Sequence, residues 1–99
     1  MLSSAEILDF LKRNKPVLQE KFHCNQIGLF GSFARNEQTE TSDIDILVVF
    51  DTNTKNLYDI EISLKKYLEN HFNRKVDICA QKWINPIFKP LILKETVYA

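Results

Sequence analysis

One stretch constrains this chain more than any other, because in it two apolar segments flank a polar one. Residues 27–30 are apolar and lead into Gly31-Ser32, while residues 46–50 form the longest apolar run. Just before that run stands Asp43-Ile44-Asp45. Acidic side chains are rarely placed at a buried strand without a partner. The stretch therefore predicts a chemical site at its polar centre, with the rest of the chain as scaffold.

The same stretch predicts two strands joined by a loop. Residues 26–30 read as a short buried strand, which Gly31-Ser32 interrupts, and one helical turn follows. Residues 36–42 are polar and without periodicity, which is typical of a loop. Residues 43–50 alternate at first and then become apolar on both faces, as in a central strand that is covered on both sides.

The remaining patterns predict one α/β domain over residues 1–99, in which a small sheet is flanked by helices. Ser3 and Glu6 form a capping box that opens a helix, which Pro16 ends or kinks. The other expected elements are a short helix at 17–22, an amphipathic helix at 56–71, a strand at 75–80, a short helix within 84–93 that begins near Pro86, and an edge strand at 96–98.

Charge and composition narrow the functional classes. The 13 basic side chains are balanced by 13 acidic ones, so no positive field favours direct binding of nucleic acid or of an anionic membrane. We see no leader pattern at the N-terminus, and the longest apolar run is too short to span a bilayer. Cys24 and Cys79 are expected to be reduced thiols. A cytoplasmic protein is the expectation.

Three carboxylates define the predicted site. Asp43 and Asp45 share one face of their strand, and Asp77 is in phase on the third strand. If the strands are neighbours, the three groups repel one another, and a divalent cation would relieve that repulsion. Carboxylate oxygens suit Mg²⁺, and a pair of such ions can serve displacement at phosphorus. The alternative is that these residues form only the polar rim of a small domain and have no chemical role.

The Gly31-Ser32 turn supplies a second predicted component. Glycine allows close approach of the backbone to an anion, and the N–H groups that follow it, with the Ser32 hydroxyl, can hold a phosphate. Arg35 is one turn further on. It can reach a phosphate oxygen, or pair with Glu37 or with a site aspartate, and the sequence favours neither interpretation.

These residues resemble the nucleotidyltransferases related to DNA polymerase β. The family pattern is an apolar residue and Gly-Ser, about ten residues, and then Asp-apolar-Asp-apolar, which here is Phe30-Gly31-Ser32 and Asp43-Ile44-Asp45-Ile46. The fuller pattern is similar to the minimal nucleotidyltransferases of bacteria and archaea, over nearly the whole chain. One departure is Asn36, where that subfamily often has glycine.

The resemblance implies a mixed sheet and transfer of AMP from ATP, or of NMP from another NTP, with release of pyrophosphate. It implies that Asp43 and Asp45 bind Mg²⁺, that Asp77 completes the site and helps to deprotonate the acceptor, and that Gly31 and Ser32 hold the triphosphate. It also implies a role as antitoxin, in which a tyrosine of a HEPN-domain ribonuclease is adenylylated. A homodimer or a hetero-oligomer is compatible with this role.

The partner contact and the acceptor leave alternatives open. Apolar residues near the C-terminus could contact a partner or simply complete the core: Trp83, Ile84, Phe88 and Tyr98. A small molecule such as an antibiotic is an alternative acceptor. A non-catalytic subunit that neutralises its partner by occlusion is an alternative from another class. Nucleic-acid polymerisation is disfavoured by the neutral charge and by the absence of template-binding domains.

Overall fold

The computed structural model describes residues 2–99 and shows a mixed α/β domain. Its elements in chain order are α1 (Ser4–Arg13), α2 (Lys15–Phe22), β1 (Cys24–Phe30), α3 (Gly31–Ala34), β2 (Ile44–Phe50), α4 (Leu57–Phe72), β3 (Val76–Ala80), a 3₁₀ turn (Gln81–Trp83), α5 (Lys89–Glu95) and β4 (Val97–Tyr98).

Local chemistry sets the boundaries of the helices. The Glu6 N–H donates to Ser3 Oγ at 3.2 Å, which caps α1 as the sequence predicts. Pro16 stands in the first turn of α2, where its missing N–H costs no hydrogen bond. The helices α2 and α4 end at His23 and Asn73, both in the left-handed conformation that stops a helix.

The four strands form one sheet in the order β3-β2-β1-β4. Strand β1 pairs antiparallel with β2 and with β4, whereas β2 and β3 are parallel, so the sheet is mixed. The helix α4 makes the crossover that a parallel pair requires. The central position of β2 agrees with its apolar character on both faces.

One face of the sheet carries the main core. Ile44, Ile46 and Val48 of β2 are fully buried there, together with Ile7 and Leu11 of α1 and with residues of α2 and α4. The intervening residues of β2, Asp45 among them, project from the opposite face. The alternation of β2 thus puts Ile44, Ile46 and Val48 in the main core and Asp45 outside it, on the opposite face.

The C-terminal part differs from the expectation. The predicted start near Pro86 is wrong: α5 begins at Lys89 and has Pro90 in its first turn. Ile84, offered as an exposed contact residue, is buried, whereas Trp83 and Phe88 are 71% and 55% exposed. The predicted edge strand is confirmed as β4, in which Tyr98 is opposite Gly28. No helix among residues 2–99 is long and apolar enough to cross a membrane.

Candidate active site

Strand register brings the predicted site together around Asp45. Asp45 is opposite Phe30 on β1 and opposite Asp77 on β3. Residues that are opposite each other in a sheet point to the same face, so Asp45 and Asp77 are neighbours there. Gly31 follows Phe30 directly, which places the Gly-Ser turn at the same end of the sheet as the two carboxylates.

The surroundings of Asp45 disfavour its ionised form. It is half-buried, and desolvation, followed by the charges of Asp77 and Asp43, raises its pKa from the ordinary 3.8 to about 6. Arg35 opposes this shift, and Glu95 adds to it. Asp43 and Asp77 are thus both near enough for their charges to act on Asp45, which agrees with the predicted shared patch.

Gly31 is required at its position for two reasons. Its φ of +74° is rarely adopted by other residues. A Cβ there would lie 2.9 Å from Asp45 Cγ and would overlap the carboxylate oxygen next to it. The turn therefore packs directly against the Asp45 side chain, and only glycine allows that contact.

Arg35 pairs with two glutamates. Its Nε donates to Glu37 Oε1 at 2.8 Å, and its Nη1 donates to Glu95 Oε2 at 2.9 Å. Of the two interpretations left open by the sequence, the structure contains the pairing with Glu37. The partner Glu95 was not anticipated. These hydrogen bonds raise the pKa of Arg35, so it stays cationic beside the Gly-Ser turn.

Two features outside the motif position the loop that leads to Asp43. Arg74 donates to the carbonyl oxygens of Ser42 at 2.9 Å and Thr39 at 3.2 Å, and its guanidinium lies 5.3 Å from the Phe33 ring centroid. Asn36 adopts a φ of +57°, a conformation that glycine and asparagine share. This explains how asparagine can replace the glycine that is frequent in the resembling subfamily. No sequence pattern around Arg74 indicated that it positions this loop.

The donor set suits a cation that is bound jointly with a ligand. Among residues 2–99, no group of three or more His, Cys, Asp or Glu side chains is arranged to hold a metal ion by itself. Mg²⁺ commonly uses one or two carboxylates and takes its other ligands from substrate phosphates and water. Burial, followed by the charges of Asp77 and Asp43, raises the pKa of Asp45, and a bound cation would stabilise its ionised form. The site therefore fits Mg²⁺ held in part by a nucleotide.

Asp77 is accessible from solvent. It is exposed and lines a shallow cleft of about 220 Å³ between β3 and α4, together with Tyr58, Glu61 and Lys65. Asp77 can therefore be reached from solvent without rearrangement of the core.

Comparison with known proteins identifies the family. A model of the nucleotidyltransferase domain matches residues 6–99. The chain belongs to the nucleotidyltransferase family.

Two of its relatives are similar over nearly their full length. A Methanocaldococcus jannaschii protein, provisionally named as a protein adenylyltransferase, is 41% identical over 99% of each chain. Protein adenylyltransferase MntA of Thermococcus cleftensis is 38% identical over 99% of this chain and 97% of its own.

Solved structures agree on the fold. One that is provisionally described as a minimal nucleotidyltransferase superposes with a TM-score of 0.79 at 27% identity, over 97% of this chain and 95% of the other. A toxin–antitoxin structure with AMP-PNP gives a TM-score of 0.68 at 23% identity, over 98% and 72%. The expectation of a nucleotidyltransferase with a mixed α/β fold is thereby confirmed.

Proposed function

We propose that this nucleotidyltransferase moves AMP from ATP to a tyrosine hydroxyl of a HEPN-domain ribonuclease toxin and so acts as its antitoxin. The observation that carries the chemical part is the register of β1, β2 and β3, since it sets Asp45 against the Gly31 turn and beside Asp77. An anion-binding turn next to a carboxylate cluster is what a nucleotide–Mg²⁺ complex needs.

Each residue has a role that follows from its position. The carboxylates of Asp43 and Asp45 would hold Mg²⁺, with Asp77 as a further ligand, and two ions would share the set. When bound, Mg²⁺ supplies charge neutralisation at the phosphates. Gly31, which has no side chain of its own to obstruct an anion, and Ser32 hold the triphosphate. Arg35 adds a permanent positive charge on the same side of the turn.

The transfer step requires a proton acceptor at the attacking hydroxyl. The acceptor oxygen forms a bond with the α-phosphorus of ATP, the bond from that phosphorus to the bridging oxygen breaks, and pyrophosphate leaves. The hydroxyl proton passes to the carboxylate of Asp77, which is exposed and can be reached by an incoming side chain. Asp77 thus orients the acceptor and removes its proton.

The nature of the acceptor is supported by the relatives. Those that match nearly the whole chain are named for adenylyl transfer to protein, and a structural neighbour is a toxin–antitoxin assembly with AMP-PNP. A protein partner would bring its own tyrosine to the site. Exposed Trp83, Phe88 and Tyr98 are suited to contact such a partner.

Intact-mass spectrometry tests this proposal. A co-expressed HEPN partner is incubated with this protein, ATP and Mg²⁺, and Asp43→Asn serves as the control. We expect the partner to gain the mass of one or more AMP groups, and the variant to give no gain. A partner that is bound and inhibited without any gain would instead establish neutralisation by occlusion. Absence of both gain and binding would direct the search to small-molecule acceptors.

A further inference from the structure

A carboxylate from the C-terminal end of the chain occupies the turn that is proposed to hold phosphate. Glu95, the last residue of α5, accepts a hydrogen bond from the Gly31 N–H through Oε1 at 3.1 Å. Its second oxygen, Oε2, accepts from Arg35 Nη1 at 2.9 Å. The carboxylate therefore bridges a glycine N–H and a guanidinium, which is how proteins bind a phosphate or another oxyanion.

Within this contact, Glu95 is more buried than Arg35. The Glu95 side chain is 20% exposed, and that of Arg35 is 47% exposed. Glu95 also lies near enough to Asp45 for its charge to act on that carboxylate. A further anion is thus held at the edge of a cluster that is already negative, and the Gly31 N–H and the Arg35 guanidinium offset its repulsion.

We propose that Glu95 is a built-in competitor of the nucleotide: its carboxylate fills a phosphate position on Gly31 and Arg35 until the triphosphate displaces it. This inference rests on the proposed function, because it takes Gly31 and Arg35 as phosphate donors. One N–H cannot serve two anions at full strength, so nucleotide binding includes the cost of releasing Glu95. The net affinity for nucleotide is lower than the donors alone would give.

Release of Glu95 has a structural consequence for the end of the chain. Glu95 connects α5 to α3, and the strand that follows, β4, has only two residues paired with β1. When the nucleotide takes the place of Glu95, α5 and β4 lose this connection. Their backbone amides should then exchange with solvent faster than in the nucleotide-free protein.

Binding of AMP-PNP provides the test, because it needs no acceptor and no turnover. The dissociation constant is measured in the presence of Mg²⁺ by calorimetry for the wild type, for Glu95→Gln and for Glu37→Gln. Glutamine keeps the shape of the side chain but removes its charge. Glu37→Gln is the matched control, because the substitution removes the same charge. Glu37 also contacts Arg35, but it does not touch Gly31. We expect Glu95→Gln to bind about tenfold more tightly than the wild type, and Glu37→Gln to change binding by about threefold at most.

Hydrogen exchange of the wild type gives a second measurement that requires no variant. We expect residues 89–98 to exchange faster when AMP-PNP is added, while α1 does not. Binding by the wild type, with equal or weaker binding by Glu95→Gln, overturns the competitor role and leaves the proposed function in place. Slower exchange of residues 89–98 on addition of AMP-PNP likewise overturns the competitor role and leaves the proposed function in place. Absence of AMP-PNP binding in the wild type and in both variants overturns both proposals.

Discussion

The ionised carboxylate of Asp45 should destabilise the fold that holds it. Its pKa is raised from 3.8 to about 6 by burial and by the neighbouring charges of Asp77 and Asp43. A raised carboxylate pKa means that the folded state prefers the protonated form. The free energy by which Asp45 destabilises the folded state is therefore small below pH 3.8, grows as the pH rises towards 6, and is fully present at pH 7. Asp45→Asn removes this cost and keeps the side-chain shape.

The structure gives the size of the effect. A change from 3.8 to about 6 corresponds to about 3 kcal/mol if none of it is screened. Asp45 is only half-buried, and solvent screening reduces such energies, so about 1 kcal/mol is the realistic gain. In a domain of this size that is a rise in Tm of about 4–8 °C at pH 7–8.

Thermal unfolding followed by circular dichroism, without divalent cations, checks the expectation. Wild type, Asp45→Asn and Glu40→Gln are compared at intervals between pH 5 and pH 8. Glu40 is an exposed loop residue, so this control changes the net charge by the same amount without touching the site. The stabilisation by Asp45→Asn should decrease as the pH falls below 6. An equal gain at pH 5 and pH 8, or a variant less stable than the wild type at pH 8, would refute the reasoning.

Three further predictions follow from named contacts. Gly31→Ala should cost about 1–3 kcal/mol, because the left-handed φ and the contact with Asp45 both oppose a Cβ, and it should abolish AMP-PNP binding; denaturant unfolding and calorimetry measure these effects. Asp77→Asn should lower the pKa of Asp45, seen by NMR titration, and should reduce the transfer rate more than it weakens AMP-PNP binding. Leu64→Ala, at a fully buried position of α4, should cost about 2–5 kcal/mol in guanidinium unfolding without a specific effect on binding.

Much of the fold was predictable because its signals are local. The alternation of Asp43-Ile44-Asp45-Ile46 predicts which side chains enter the core, and Ile44 and Ile46 are indeed fully buried. The apolar end of the same strand predicts its central position in the sheet, which is confirmed. The periodicity of residues 56–71 predicts α4 to within one residue at each end. In each case a few neighbouring residues carry the whole pattern.

The C-terminal segment was harder to predict because proline marks the beginning of a helix only loosely. Pro86 and Pro90 are equally suited to a first helical turn, and the structure uses Pro90. The choice depends on where α5 must lie to reach α3, which is a tertiary requirement. The burial of Ile84 beside exposed Trp83 is a tertiary feature of the same kind, at the end of a 3₁₀ turn that contacts β2.

The candidate site likewise has parts that local sequence predicts and one contact that only the folded structure shows. The proposed phosphate-binding turn and the first two carboxylates lie within fifteen residues, so their spacing alone predicts the chemistry. The contact between Glu95 and Gly31 joins residues 64 positions apart. A lone glutamate at the end of a short helix carries no pattern that distinguishes it from a solvated one. The motif therefore predicts what the turn can bind, whereas only the folded chain reveals that another anion already binds there. If Glu95 competes as proposed, the affinity for nucleotide is set jointly by the motif and by a residue that no motif contains.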